Sequence, residues 1–133
     1  MLFRSNLKWL DSEIFEAPDT VHHLEGVHGI LVPGGYGYRG IEGKIRAARL
    51  ARTRKVPYLG LCLGLQIAVI DLAREALGSA DANSTEFDMF TKHPVIDFTP
   101  DQRGVEEKGG TQRLGLYPAK LAPGSREIGR AHV

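Results

Sequence analysis

Short apolar runs alternate with longer stretches of helical period through the first 78 residues. Residues 6–10 read as a short strand, closed by the acidic turn Asp11-Ser12-Glu13. Residues 14–26 are mixed and poorly periodic, with a short helix expected over 20–24. Residues 27–33 are apolar enough for a strand buried on both faces. They run into Pro33-Gly34-Gly35-Tyr36-Gly37, a turn of exposed backbone amides. A helix is predicted over 42–53. Ile41, Ile45, Ala48 and Ala51 fall at helical spacing, and Lys44, Arg46, Arg49 and Arg52 supply a solvated face. Pro57 marks the entry to a further buried strand, Val56-Pro57-Tyr58-Leu59. Residues 63–77 read as a helix that is apolar outside Gln66, Asp71, Arg74 and Glu75, and so mostly buried; Gly78 ends it. Strands alternating with helices imply βαβ units and a parallel sheet, the α/β class. Beyond Gly78 the pattern changes. Residues 94–98 fit a strand, residues 101–110 a charged, mobile loop, and residues 114–121 one strand or part of a hairpin. No internal repeat or low-complexity segment is present.

Composition narrows the class without choosing a function. The formal net charge of +1 gives no footprint for nucleic acid or an acidic membrane surface. One cysteine cannot form an internal disulfide, so the reducing cytoplasm is the expected compartment. The N-terminal residues lack a signal peptide's apolar stretch. No apolar run approaches the roughly 20 residues that span a bilayer. Asn83-Ser84-Thr85 fits a glycosylation sequon, which is chance in a cytoplasmic chain.

That lone cysteine carries the chemistry. Gly60-Leu61-Cys62-Leu63-Gly64 lies where a strand is expected to turn into a helix, the layout of a nucleophile elbow. The turn is tight enough that side chains at the flanking positions would clash, and it lifts the nucleophile above the strand ends. The positive end of a helix dipole there attracts an anionic sulfur. A buried structural cysteine is the plainer alternative, but the two glycines argue against it. In an open parallel sheet, ligands bind beyond the carboxyl ends of the strands. Both glycine turns, 34–37 and 60–64, are expected at such ends, and so as neighbours in space. The first matches neither phosphate-binding fingerprint. The amides of Gly35 and Leu63 suit an oxyanion hole, donating to an oxygen on the carbon that Cys62 attacks.

Several segments together carry a resemblance. Gly29-Ile30-Leu31-Val32-Pro33-Gly34-Gly35-Tyr36-Gly37, Glu42-Gly43-Lys44-Ile45, Gly60-Leu61-Cys62-Leu63-Gly64-Leu65-Gln66 and Ala82-Asn83-Ser84-Thr85-Glu86-Phe87 resemble the class I glutamine amidotransferase domain of the CTP synthase family. Gly109-Gly110-Thr111-Gln112-Arg113-Leu114-Gly115 and Lys8-Trp9-Leu10-Asp11-Ser12-Glu13 fit the same family, and the similarity runs over residues 6–124. The elbow alone indicates the broad class; the 83–87 and 109–115 blocks narrow it and disfavour other class I amidotransferases. Leu65 stands where methionine is common, and Tyr36 where phenylalanine is common.

The resemblance implies part of a doubly wound parallel sheet of the flavodoxin-like, three-layer type. It implies that Cys62 attacks the carboxamide of L-glutamine, with Gly35 and Leu63 stabilising the oxyanion. Gly35, Leu63, Gly64, Leu65, Gln66 and Glu86 would contact glutamine, Glu86 through the substrate's ammonium group. The segment from Gly109 to Gly115, with Thr111 and Arg113, resembles the lid through which GTP activates hydrolysis. Ammonia would pass to a synthetase domain that aminates ATP-phosphorylated UTP to CTP, with magnesium on the nucleotides. That domain lies outside this chain, which itself would hold no metal or cofactor. Full-length members form homo-oligomers, tetramers among them.

Other readings stand beside these. Asn83 and Glu86 have the spacing of a helix N-cap and its N3 partner, so Glu86 could instead cap a helix. Gln66 could bond a backbone carbonyl, and Arg113 could be a solvated surface residue. A cysteine nucleophile also needs a base. The family supplies one from a later His-Pro-Glu segment, and no His-x-Glu follows residue 115. His28 begins the strand that ends near Pro33, on the order of 16 Å from its active end at ~3.3 Å per residue. His22 and His23 precede it, His93 is followed by Pro94-Val95, and His132 is next to last.

The family's first strand and helix are likewise unmatched, as is the arginine that contacts the glutamine carboxylate. Residues 127–133 do not continue the family pattern. One back-translation of 128–133, ATC GGA AGA GCA CAC GTC, reads as a common sequencing-library adapter. The expected organisation is a partial amidotransferase domain over 1–124, truncated at both ends, and a foreign tail over 125–133. Such a piece is expected to be inactive alone and poorly stable, with sheet edges and apolar faces uncovered. A non-catalytic glutamine-binding or interaction module is the alternative from a different class.

Overall fold

The computed structural model describes residues 5–98 and Pro123. The expected lid over 101–115, with Thr111 and Arg113, the strand over 114–121 and the tail over 125–133 lie outside the described residues. Residues 5–98 belong to one compact unit.

β1 (Ile30–Val32), α1 (Ile41–Arg54) and β2 (Tyr58–Gly60) form a βαβ unit. Its strands pair in parallel, Ile30 with Tyr58, Leu31 with Leu59 and Val32 with Gly60. The expected helix is α1 almost to the residue, because its apolar positions keep one period throughout. Ile41, Ile45, Ala48 and Ala51 are all buried. Lys55, at φ +56°, takes the left-handed C-cap, and its amide bonds Ala51 and Arg52. α2 (Leu63–Leu77) has the predicted bounds and ends at Gly78, φ +59°. β3 (Ala82–Ser84) and β4 (His93–Ile96) form a second parallel pair with a register shift at Asn83 and Ser84.

Two apolar clusters flank α1. Ile41, Ile45 and Ala48 pack with Leu63, Ile67 and Ile70 of α2, joined by Tyr58, Phe87, Val95 and Ile96. Ala47 and Leu50 pack with Phe15 and Leu24 from two 3-10 helices, Ser12–Glu16 and Thr20–Leu24. Arg46 secures the first of these, its Nη1 donating to the carbonyls of Phe15 (2.9 Å) and Glu16 (2.8 Å).

Four expectations are corrected. Residues 6–10 form no strand, because they bond to no sheet among the described residues; Trp9 is 84% exposed. β1 and β2 are buried on one face only. The register partners Leu31 and Leu59 are 57% and 54% exposed on the other face, where nothing described covers them. α2 is likewise less buried than its composition suggests, for Leu65, Leu72 and Leu77 are exposed. Conversely, Asp71 of α2 is 2% exposed. Arg49 (3.1 Å) and Arg52 (2.8 Å) of α1 neutralise it, so the supposedly solvated face of α1 is in part an ion-pair seam. No described helix is long and apolar enough to cross a membrane.

Candidate active site

Cys62 stands between β2 and α2, at the N-cap of the helix, with φ 52° and ψ −106°. A non-glycine residue rarely adopts such a conformation, and holding it costs on the order of 1–3 kcal/mol. The surrounding backbone enforces it. A Cβ on Gly60 would strike the Gly64 carbonyl group and lie 2.6 Å from the Leu65 nitrogen. A Cβ on Gly64 would strike the Val32 carbonyl oxygen and lie 2.9 Å from its carbon. The Leu61 amide donates to that same carbonyl (2.9 Å), tying the turn to β1. The side chain so presented is exposed, which removes the alternative of a buried structural cysteine.

The two glycine turns converge as expected. A Cβ on Gly34 would lie 3.4 Å from Cβ of Cys62, and one on Gly35 would lie 3.3 Å from Cδ2 of Leu63. In the first turn of α2, the amides of Gly64 (2.9 Å), Leu65 (3.0 Å) and Gln66 (3.2 Å) bond back to the carbonyls of Leu61 and Cys62. The amides of Gly35 and Leu63 have no acceptor among the described residues. The Leu63 side chain is buried in the core, so only its backbone faces this chemistry. Gly64 is buried too, whereas Leu65 is exposed and Gln66 half-buried on the opening turn of the helix.

Glu86 reaches the same region from the turn after β3. Its Oε1 accepts a hydrogen bond from the Gly37 amide at 3.2 Å, across 49 residues of chain. Asn83 is a strand residue, and the residues after Ser84 form turns at 85–87 and 89–90 rather than a helix, so the capping alternative for Glu86 is not realised. Instead the Ser84 carbonyl accepts from Phe87 (3.1 Å) and Asp88 (3.0 Å), and the Ser84 hydroxyl accepts from Glu86 (3.2 Å).

The histidines do not join the site among the described residues. His22 and His23 lie in a 3-10 helix, His28 precedes β1, and His93 opens β4. No side-chain hydrogen bond to Cys62 is formed among the described residues. The described residues also contain no group of three His, Cys, Asp or Glu able to hold a metal ion.

Two contributors were not legible as site residues. The Gly37 amide lies in the turn of amides expected over 33–37, but nothing there marked it as the partner of Glu86. Tyr58, expected only as a strand residue, donates its hydroxyl to the Gly64 carbonyl at 2.8 Å. Burial pushes its phenol up to about 12, helped by the negative charge of Asp71.

Comparison with known proteins fits this geometry. The family model for class I glutamine amidotransferases matches residues 3–132. The chain belongs to the class I glutamine amidotransferase family. Its relatives include the CTP synthase of Herpetosiphon aurantiacus, 60% identical over 121 residues, which are 91% of this chain and 23% of the relative. The CTP synthase of Thermus thermophilus is 59% identical over 122 residues, 92% of this chain and 22% of the relative. Among solved structures, the Trypanosoma brucei CTP synthase glutaminase domain with bound acivicin superposes with a TM-score of 0.71 at 42% identity. It covers 76% of this chain, which corresponds to 39% of that one. This amidotransferase chain thus spans less than a quarter of the length of the curated relatives it matches.

Proposed function

We propose that this chain is the glutamine-hydrolysing part of a CTP synthase. What carries the reading is a strained, exposed Cys62 beside two amides that have no acceptor among the described residues, in a sequence about 60% identical to CTP synthases. The Cys62 thiolate attacks the glutamine carboxamide carbon and forms the C–S bond. The oxyanion of the tetrahedral adduct accepts from the Gly35 and Leu63 amides. The C–N bond then breaks, and nitrogen leaves as ammonia after taking up a proton. Water adds to the glutamyl thioester, and glutamate departs with the thiol restored. Glu86 holds the substrate's ammonium group, oriented by the Gly37 amide. Leu65 and Gln66 flank the substrate on the opening turn of α2.

The ammonia aminates UTP in a synthetase domain, where ATP and magnesium act. GTP would act through the 101–115 segment, with Thr111 and Arg113, in an oligomeric, cytoplasmic enzyme.

With no histidine bonded to Cys62 among the described residues, the 133-residue polypeptide alone is expected to release no ammonia from glutamine. It is expected to be alkylated at Cys62 by acivicin, a glutamine-shaped electrophile, faster than free cysteine is. Mass spectrometry of the labelled chain reads this directly. A rate no faster than free cysteine would overturn the site. Ammonia release that disappears in Cys62→Ala would overturn the inactivity. In the full-length protein, Cys62→Ala should abolish glutamine-dependent CTP formation and leave formation from added ammonia intact.

A further inference from the structure

We propose that Tyr58 is a positioning residue for the oxyanion site: its hydroxyl clamps the first turn of α2, and with it the Leu63 amide, through the Gly64 carbonyl. The proposal rests on the glutamine-hydrolysing reading for its catalytic consequence, but the clamp itself is separately measurable.

Gly64 is fixed from three sides. Its Cα abuts the Val32 backbone of β1 closely enough that no side chain fits there. Its carbonyl group faces Gly60 of β2 under the same restriction. The third restraint is the Tyr58 hydroxyl, at 2.8 Å from its carbonyl oxygen. The first two are repulsive and limit how near Gly64 can come. Tyr58 supplies a side-chain attraction that keeps it there, beside the bond from the Gly64 amide to the Leu61 carbonyl (2.9 Å). The direction of the Leu63 amide depends on the backbone angles of Cys62 and Leu63. Cys62 sits at φ 52°, outside any broad energy minimum for a non-glycine residue. A turn held in such a conformation relaxes once a restraint goes.

Tyr58 is built for this task. Its ring packs against the cluster of Ile41, Ile45, Ala48, Leu63, Ile67 and Ile70, which fixes where the hydroxyl points. Its raised ionisation keeps the proton on oxygen throughout the physiological range, so the group remains a donor. Asp71, which contributes to that rise, is itself held by Arg49 and Arg52, so the charge behind the phenol is fixed in place.

Tyr58→Phe keeps the ring and removes the donor. In the 133-residue chain, alkylation of Cys62 by acivicin is expected to fall about fivefold, the worth of one hydrogen bond near 1 kcal/mol. Alkylation by iodoacetamide, which needs no oxyanion donor, should stay within a factor of about two. Amide exchange at Gly64, Leu65 and Gln66 should accelerate about fivefold, with Ala47 and Ala48 of α1 unchanged. p-Aminophenylalanine at position 58, which restores a para donor, should return both readouts towards wild type.

Unchanged exchange in the first turn of α2, or exchange that rises equally in α1, overturns the clamp, as does failure of the amino variant to restore it. Equal loss with both reagents reduces Tyr58 to a fold residue. A Tyr58→Phe chain that does not fold overturns the proposal in the same way. Should wild-type Cys62 show no preference for acivicin over iodoacetamide, the glutamine reading fails, while the exchange data still decide the clamp.

Discussion

The Cys62 elbow and the Glu86 turn approach the same loop, Gly34 to Gly37, but they are held by opposite kinds of force. At the elbow the restraints are mostly steric. Gly60, Gly64 and the positive φ of Cys62 leave the backbone almost no alternative path. At the Glu86 turn the described restraints are softer. They include hydrogen bonds around Ser84, the bond from Thr85 to the Ile96 carbonyl (3.0 Å), the bond from the Gly37 amide and the packing of Phe87 against the core. On the proposed reading, the Cys62 nucleophile needs a fixed strained geometry, which exclusion of volume supplies. The Glu86 carboxylate, as the proposed receiver of an ammonium group, needs only to be near and oriented, which a few bonds supply.

The sharpest break of this contrast is Gly64→Ala. The added methyl group would occupy the space of the Val32 carbonyl, which is main chain and cannot turn aside. β1 must separate from α2, and the chain should lose roughly 3 kcal/mol of stability or fail to fold. Urea unfolding followed by circular dichroism measures it. A loss below about 1 kcal/mol would mean that the elbow is not held by volume.

The same distinction governs what could be read from the sequence. Glycines at fixed offsets around a cysteine are a direct record of backbone crowding, so the elbow, its neighbour at Gly34 and Gly35, and the bounds of α1 and α2 were all legible. Polar restraints leave no comparable record. Asp71 stands in a helix with other charged residues, and nothing local says that Arg49 and Arg52 of another helix will bury it. Asn83-Ser84 has weak strand character and pairs through a shifted register with β4, so the strand that carries Glu86 into position passes for a cap. Leu31 and Leu59 look like core residues in any window. Their exposure follows from what covers the second face of the sheet, which no local pattern can state. The run 6–10 fails as a strand for a related reason: period supplies the tendency, but a partner supplies the bonds.

Glu86→Ala should separate the two regions from the other side. The turn keeps its Ser84 and Ile96 bonds, so stability should change by less than about 1 kcal/mol. Acivicin alkylation of Cys62 should nevertheless fall about tenfold or more if Glu86 makes the proposed charge-assisted bond to the ligand's ammonium group. Iodoacetamide should be indifferent. If Glu86→Ala slows both reagents alike, or unfolds the chain as Gly64→Ala does, then Glu86 belongs with the scaffold and the contrast collapses.

The smallest effect tests how β3 is tied to the elbow helix. Arg74 of α2, its side chain 9% exposed, donates through Nε to the Ala82 carbonyl of β3 (3.0 Å) and through both terminal nitrogens to Glu42 of α1 (2.8 Å each). The Arg74 bond holds the Glu42 carboxyl below its usual value of 4.5, against a partial desolvation that opposes it. A depressed carboxylate stabilises the fold fully above its unfolded value and loses that contribution as pH falls through the folded one. Below about pH 4.5 the ion pair between α1 and α2 that orients Arg74 towards β3 should therefore weaken, while the elbow's steric contacts, which carry no proton, persist. Glu42→Gln should cost about 0.5–1 kcal/mol at neutral pH, discounted because Glu42 is half exposed to solvent. It should also flatten part of the acid decline in stability. Glu13 and Asp81, whose carboxyls are likewise lowered by Arg39 and Lys92, supply a decline common to both proteins. The difference between the two curves is thus the reading for Glu42. Curves that run parallel from neutral pH through acid would show that the Glu42–Arg74 pair contributes no pH-dependent hold on β3.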